Sequence, residues 1–318
     1  MKPSSNTADM TKGSPVRLIL TFSVPLIIGN IFQQFYNMVD SIVVGNFVGA
    51  NALGAVGACG SLNWLFFSLS SGLGIGIGVI VSQFYGAKRF DKVSETIANS
   101  FYVLISSALV VSILCYLIAP AVLRLLKTPD DIINDSITYM RTTCLGIVAI
   151  SLYNGVSSIL RALGDSKTPL YFLILSSICN VLLDLLFVIS FGWGVFGVAF
   201  ATILSQALSA VVSLFYAFKK ISYFHLTKKQ LKPDFLIIKN SYRLGVPIAL
   251  QSSMIAVSCV FLQSIVNSFG STVVSAYTIT NRIEQLINQP YNSIGTALTT
   301  YAGQNIGAGD TERVKLGF

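Results

Sequence analysis

Eight long apolar segments, separated by short polar gaps, limit what this chain can fold into more than any other feature. They cover about residues 16–40, 52–82, 95–119, 133–161, 168–191, 195–218, 241–267 and 272–302. About 20 mostly apolar residues are enough for a helix to cross roughly 30 Å of hydrocarbon. Lipid cannot hydrogen-bond an open backbone, and these segments are too long for the strands of a transmembrane barrel. The sequence therefore predicts an all-α integral membrane protein with eight spans.

The composition agrees with a lipid environment. Only 11% of the 318 residues are charged, against about 25% in a typical soluble domain. A soluble protein of this length would have too few charges for a solvated surface, so the lipid bilayer is a predicted partner. The five cysteines are odd in number and show no C-x-x-C spacing, which argues against a disulfide framework and a zinc site. No cofactor is predicted, and a monomer is expected.

The basic residues indicate how the spans are oriented. The net charge is +8, but the Lys and Arg residues lie in the gaps between spans. If the N-terminus is cytoplasmic, 17 of the 21 basic residues fall on the cytoplasmic side, three on the outer side and Arg282 within a span. The positive-inside rule then predicts a multi-pass protein of the plasma (inner) membrane with a cytoplasmic N-terminus. The charge is a topology signal, and nucleic acid is not a predicted partner.

One segment occurs twice. Residues Gln83–Val93 and Gln304–Val314 are 221 positions apart and agree at their Gln, Gly, Ala, acidic, basic and Val positions. Six spans separate the copies, so both have the same orientation, as in the parallel repeats of many transporters. The predicted domains are a six-helix N-lobe (1–218), a basic linker (219–240) and the first two helices of a parallel-repeat second lobe (241–318). A complete second copy needs four more spans, so a chain truncated after about eight of twelve helices is expected.

Ten of the thirteen acidic residues lie in gaps or at the ends of spans, and three lie well inside spans: Asp40, Asp184 and Glu284. A carboxylate in a span is costly, which makes a functional role the default expectation. At 1.5 Å per residue, Asp40 and Asp184 lie in the outer half, with Asn180 one turn from Asp184 and Thr202 at a similar depth. Such oxygens suit a proton or a hard cation such as sodium. In the alternative, Asp40 faces outer water and Asn180 alone satisfies Asp184. Structural and functional roles are equally open for Glu284.

Proline and glycine residues inside the spans carry further predictions. Pro25 removes a backbone hydrogen bond from span one and predicts a kink that can serve as a hinge. The run Gly72-Leu-Gly74-Ile-Gly76-Ile-Gly78 in span two has no preceding strand and no following Lys-Ser/Thr pair. It therefore predicts close helix packing and not a phosphate-binding loop.

Together these segments resemble the MATE (multidrug and toxic compound extrusion) family of transporters. The resemblance runs from about residue 14 to the end of the chain. It rests on the twin Gln-x-x-Gly-Ala segments and on two further motifs: Pro25-x7-Gln33-Gln-x-Tyr36-Asn37-x-Val39-Asp40-x3-Val44-Gly45 and Arg161-Ala-Leu-Gly164-Asp165-Ser-Lys-Thr168-Pro169.

The resemblance implies twelve helices in two six-helix lobes around a central cavity. It implies multidrug efflux, in which organic cations or other amphipathic compounds are exported by antiport with protons or sodium ions. Many bacterial members have an N-lobe ion site, which corresponds here to Asp40, Asn180, Asp184 and Thr202. A further asparagine on helix four corresponds to Asn154, although its estimated depth is lower.

One departure from the family pattern shifts the prediction towards the N-lobe. Some branches carry an essential acid on helix seven, several residues after a Gly-x-Pro motif. Here Gly245-Val-Pro247 is followed by Ile-Ala-Leu-Gln-Ser-Ser-Met-Ile, which contains no acid. An ion site on helix seven is therefore not predicted.

Two other functions compete with efflux. A flippase for lipid-linked precursors, in the same superfamily, should have several basic residues facing its cavity to hold pyrophosphate, and the spans contain almost none apart from Arg282. An intramembrane prenyltransferase needs two acid-rich clusters near the cytoplasmic face, whereas Asp184 is a single acid nearer the outer face. The pattern favours a transporter over an enzyme and leaves the substrate and the coupling ion open.

The predicted topology can be tested by the accessibility of single cysteines in a cysteine-free background. We expect Asn46→Cys to react with a membrane-impermeant maleimide from outside, because it follows span one on the outer side. Lys88→Cys and Lys228→Cys should react only after the membrane is permeabilised. Labelling of Lys228→Cys in intact cells would contradict the predicted orientation.

Overall fold

The computed structural model describes residues 7–126, 128–267, 269 and 271–318, and within them the regular structure is helical. The α-helices are α1 (Pro15–Val43), α2 (Ala50–Gly86), α3 (Phe90–Leu125), α4 (Ile133–Leu145), α5 (Ile147–Ala162), α6 (Lys167–Leu185), α7 (Gly194–Lys220), α8 (Phe235–Asn267), α9 (Ser271–Gly307) and α10 (Thr311–Gly317). Helices α4 and α5 meet at a bend of 47°. The predicted all-α class is confirmed.

Most of the predicted spans are recognisable in these helices. In the described part of the chain, α1, α2, α3, α6 and α7 are long and apolar enough to cross a membrane, and α4 with α5 forms one bent span. Helices α8 and α9 have 33 and 37 residues, which at 1.5 Å per residue is about 50 Å or more. They are long enough to cross, but parts of both helices lie outside the fully described residues, so spans seven and eight remain predictions.

The linker between α7 and α8 is shorter than the predicted 219–240. Helix α7 continues to Lys220 and α8 already begins at Phe235. The reason is an N-cap: Asp234 Oδ1 accepts hydrogen bonds from the backbone N–H groups of Leu236 at 2.9 Å and Ile237 at 3.3 Å. Such a side chain satisfies donors that the first turn of a helix leaves free. The cap and the buried Ile237 start the helix about six residues before its apolar core.

The glycine run of α2 allows two close helix contacts. A Cβ atom added to Gly72 would lie 2.6 Å from the backbone of Ala249 on α8, and Gly76 meets α8 equally closely one turn later. Gly74 and Gly78 face α5 instead. Residues four apart share one helix face, so the alternating glycines open two faces of α2. The predicted role in helix packing is confirmed.

The two copies of the repeated segment touch each other. A Cβ atom on Gly86 would overlap the carbonyl oxygen of Gln304, and one on Gly307 would overlap the carbonyl oxygen of Gln83. Each glycine of one copy thus meets the glutamine backbone of the other copy. This reciprocity is the contact expected of two repeats related by a pseudo-two-fold axis, and it joins the ends of α2 and α9.

The N-terminal segment before α1 reinforces the same end of the bundle. Met10 is fully buried. Its N–H donates to Gln304 Oε1 at 3.0 Å, and its carbonyl accepts from Asn305 Nδ2 at 3.1 Å. Two residues earlier, Ala8 N donates to Gly164 O at 2.9 Å in the loop after α5. The segment therefore connects the N-lobe loop to α9 at the end of the bundle that is predicted to be cytoplasmic.

The repeat contact predicts that Gly→Ala substitutions at different positions of α2 and α9 have very different effects on stability. We expect Gly86→Ala and Gly307→Ala to lower the free energy of unfolding by about 1–3 kcal/mol, because the new methyl group overpacks a tight contact. Gly57→Ala on α2 and Gly295→Ala on α9 are matched controls, since neither Cβ would meet an atom within 4 Å. Thermal unfolding in detergent, followed by circular dichroism, measures the effect. Equal midpoints for the repeat variants and the controls would contradict it.

Candidate ion-coupling site

The two membrane acids lie where their helices change from α to π geometry. Helix α1 continues into a π-helical turn at Val44–Val48, one turn after Asp40. Helix α6 continues into a second such turn at Leu186–Ser190, immediately after Asp184. The two π-helical turns contact each other. Turns of this kind are rare and occur frequently at functional sites, and here they bring the ends of α1 and α6 together.

The carboxyl groups of Asp40 and Asp184 face each other. They are close enough to share a proton in a side-chain hydrogen bond. Asp184 is completely buried, whereas Asp40 is partly buried and lines a cavity of about 480 Å³. Among the described residues, Oδ1 of each acid has no hydrogen-bond partner. Two buried carboxylates this close repel each other if both are ionised, so the pair favours one bound proton or cation.

Asn180 and Thr202 complete the back of this site. The amide of Asn180 is best assigned with its nitrogen towards Asp184: Nδ2 then donates to Asp184 Oδ2 at 3.0 Å, and Oδ1 accepts from Thr202 N at 3.3 Å. Asn180 is buried and lies one turn before Asp184. Thr202 lines the cavity beside Asp40. The structure thus brings together four of the five residues that the sequence proposed for the site.

The fifth, Asn154, lies elsewhere. It lines a neighbouring cavity of about 370 Å³, and its Nδ2 donates to Ile150 O at 3.0 Å within its own helix. The predicted hinge, Pro25, is buried in α1 and lines the same second cavity. Glu284 is exposed on α9 and lines neither cavity.

Two tyrosines belong to the acid site and were not proposed from the sequence. Tyr36 lies one turn before Asp40 and close to Thr202, and it lines the same cavity. Tyr139 of α4 is buried beside both acids. The spacing of four residues from Tyr36 to Asp40 could have found the first, because such residues share a helix face. No local pattern identifies Tyr139, which reaches the site only through the packing of α4.

The two cavities share part of their polar and aromatic lining. Both are bordered by Gln33, Asn37, Trp64, Phe67 and Gln206. Cavities of about 300–1,000 Å³ with aromatic walls and a few polar groups are typical small-molecule sites. The acid pair therefore lies beside a space large enough for an organic ligand.

Arg161 has a place that the sequence did not predict. The sequence puts it at the cytoplasmic end of the fourth predicted span; in the structure it lies in the last turn of α5 and lines the 370 Å³ cavity. Its neighbours Leu160 and Ala162 are buried, and Arg161 itself is partly buried. A single arginine is fewer than the several basic residues expected of a pyrophosphate-binding flippase.

Comparison with known proteins identifies the family. The MatE family model matches residues 25–186 and 247–317, which is more than half of the chain. The chain belongs to the MatE family. Members of this family are multi-pass membrane transporters that handle small molecules, and not enzymes.

A relative and two solved structures agree with this assignment. The probable multidrug resistance protein YpnP of Bacillus subtilis (strain 168) is 35% identical over 309 residues, covering 96% of this chain and 68% of the relative. A solved MOP superfamily transporter from Pyrococcus furiosus, described as having a binding pocket of reverse polarity, has a TM-score of 0.92 at 26% identity and covers 99% of this chain and 70% of its own. An outward-facing multidrug resistance MATE family transporter gives the same values.

The hydrogen bond of Asn180 to Asp184 predicts different effects for two asparagines. We expect Asn180→Ala to lower the free energy of unfolding by about 1–3 kcal/mol, because a buried carboxyl oxygen loses its donor. Asn154→Ala is the matched control and should cost less, since that side chain bonds only within its own helix. Thermal unfolding of the purified variants measures both, and equal shifts would contradict the assigned contact.

Proposed function

We propose that this MatE protein functions in secondary active export of organic cations or other amphipathic compounds across the plasma membrane. Export is driven by antiport with protons or sodium ions, and the coupling ion binds at Asp40 and Asp184. The proposal is supported above all by one observation: two carboxyl groups share a buried contact at the edge of an organic-sized cavity.

The acid pair is suited to holding one positive charge. A proton shared between Asp40 and Asp184, or a sodium ion near their unpartnered Oδ1 atoms, removes the repulsion between the carboxylates. Thr202 and Tyr36 supply neutral oxygens on the cavity side, which suits a hard cation. The same place therefore serves either ion, and a bound ion neutralises charge at the wall of the cavity.

Helix α1 connects this charge change to the substrate cavity. Asp40 lies fifteen residues after Pro25, about 22 Å along the helix at 1.5 Å per residue. Gln33 and Asn37 lie between them and line both cavities. Proline leaves a carbonyl in the preceding turn without its intrahelical donor and makes bending easier at that point. Ion binding at Asp40 favours a bent α1, which narrows the cavity and weakens substrate binding.

The lining also agrees with the proposed substrates. Trp64 and Phe67 border both cavities, and aromatic faces attract organic cations by roughly 0.5–2 kcal/mol each. While it is ionised, the nearby acid pair adds a longer-range attraction. An entering proton or sodium ion removes that attraction, so substrate and ion compete for the same negative charge. Competition of this kind is the energetic basis of antiport.

The test is ion-driven efflux by the purified full-length protein in proteoliposomes. We expect Asp40→Asn and Asp184→Asn each to reduce proton-driven and sodium-driven export of a fluorescent organic cation to the background level. Both variants should still insert and give a normal thermal midpoint, because the amide is close to the carboxyl group in size. Wild-type rates in both variants on either side of neutral pH would place the coupling site elsewhere.

Asp91→Asn provides the matched control. Asp91 is an exposed acid in the first turn of α3 and lines neither cavity, so its loss should leave export unchanged. If all three variants lose activity equally, the loss does not come from the acid pair and the proposed coupling is wrong.

A further inference from the structure

Arg161 lies at the junction of two cavities and of the two lobes. It lines the 370 Å³ cavity that leads towards the acid pair. It also lines a third cavity of about 400 Å³ between α2, α5 and α9. Asn292 and Thr296 of α9 border the same two cavities. The guanidinium group is therefore within reach of any ligand that occupies either space.

Arg161 has no carboxylate partner in the part of the chain that the structure describes. It is the single charged residue among those lining these two cavities, and the ion pairs found are Lys92–Glu95 and Lys315–Glu312. Asp165 is close in sequence but is occupied. Its Oδ1 accepts from Lys167 N and Thr168 N at 3.1 and 3.0 Å, and its Oδ2 accepts from the Thr168 hydroxyl at 2.6 Å.

The position of Arg161 in its own helix does not balance its charge. A cation in the last turn of a helix gains about 0.3–1 kcal/mol from the helix dipole. Removing an ion from water costs several kcal/mol, and Arg161 is partly buried between the helices. Water in the cavity can solvate the guanidinium group but does not neutralise it. An anionic group from outside the chain would do so.

We infer that this junction binds the carboxylate or phosphate group of an amphipathic organic anion. Arginine presents a planar fork of donors that matches both groups. No hydrogen bond from the Asn292 amide is seen within the described part of the chain, so this amide is available as a second donor at the same place. The aromatic walls of the 370 Å³ cavity at Trp64, Phe67 and Tyr153 accept the apolar part of the ligand.

The anion site is separate from the proposed ion site. Asp184 lies seventeen residues after the start of α6, about 25 Å along that helix, whereas Arg161 lies just before α6 begins. The cavities therefore have a cation at one end and acids at the other. A ligand held at Arg161 extends the substrate range beyond organic cations, and its binding does not require Asp40 or Asp184.

Quenching of Trp64 fluorescence tests this site directly. The chain has two tryptophans, and Trp193→Phe leaves Trp64, which lines the cavity, as the only one. The purified protein in phosphatidylcholine nanodiscs is titrated with terminally brominated undecanoate, and then with the brominated alcohol and trimethylammonium compound of equal chain length. We expect saturable quenching by the carboxylate, weakened about tenfold or more by Arg161→Gln, since a charge-assisted hydrogen bond contributes about 1.5–3 kcal/mol.

The controls separate this site from nonspecific partitioning and from misfolding. Quenching by the alcohol and by the ammonium compound should be the same with and without Arg161→Gln. Arg124→Gln, at an exposed arginine on α3 outside the cavities, should leave carboxylate binding unchanged. Thermal midpoints show whether each variant is folded. Equal carboxylate affinity with Arg161 and with Arg161→Gln would overturn the inference.

A second arm identifies the source of the anion. Phosphatidylglycerol with brominated chains replaces part of the nanodisc lipid. If it quenches Trp64 in an Arg161-dependent way, the site takes a lipid phosphate from the bilayer. If only the soluble carboxylate does so, the site takes an organic acid from solution. If neither probe quenches Trp64 in a way that depends on Arg161, the site is refuted.

Discussion

Close backbone contact along α2 is the constraint on which the rest of the structure depends. Its glycines let α8 approach on one face and α5 on another, and Gly86 meets α9 at its end. Side chains at these positions would push the neighbouring helices apart. Helix packing in lipid has little hydrophobic driving force and relies on such close approach. Because α2 holds α5, α8 and α9 together, the cavities between them have defined walls.

The charges in those walls are few and are separated along the membrane depth. Asp40 and Asp184 share a buried contact where α1 and α6 end, while Arg161 lies alone at the other end of the cavity. In surroundings of low polarity each charge acts over a longer range than it would in water. The Asp40–Asp184 pair suits a cation or a proton, and Arg161 suits an anion. A ligand with both kinds of group would meet the charges in a defined orientation.

The sequence predicted much of the candidate site because local rules apply to it. A carboxylate in an apolar span is conspicuous, and helix rise alone placed Asp40, Asn180, Asp184 and Thr202 at similar depths. The sequence prediction missed Tyr36, Tyr139 and Arg161, although the spacing of Tyr36 from Asp40 could have identified the first. Tyr139 reaches the acids only through the packing of α4, and Arg161 faces a cavity that exists only once α5 and α9 are adjacent. The estimated depth of Asn154 differed from that of the acids, and in the structure Asn154 lines the neighbouring cavity and does not contact the acid pair.

The sequence by itself determined the all-helical membrane class, because uncharged runs of this length satisfy their backbone in lipid only as helices. It also determined the repeat, since similarity between two segments is visible without coordinates. Only the tertiary structure decided that the two copies touch through Gly86 and Gly307, which α-helices the π-helical turns extend, and which polar residues share a cavity. These features depend on the relative positions of helices distant in sequence, and no local pattern encodes the direction in which a side chain faces its neighbours.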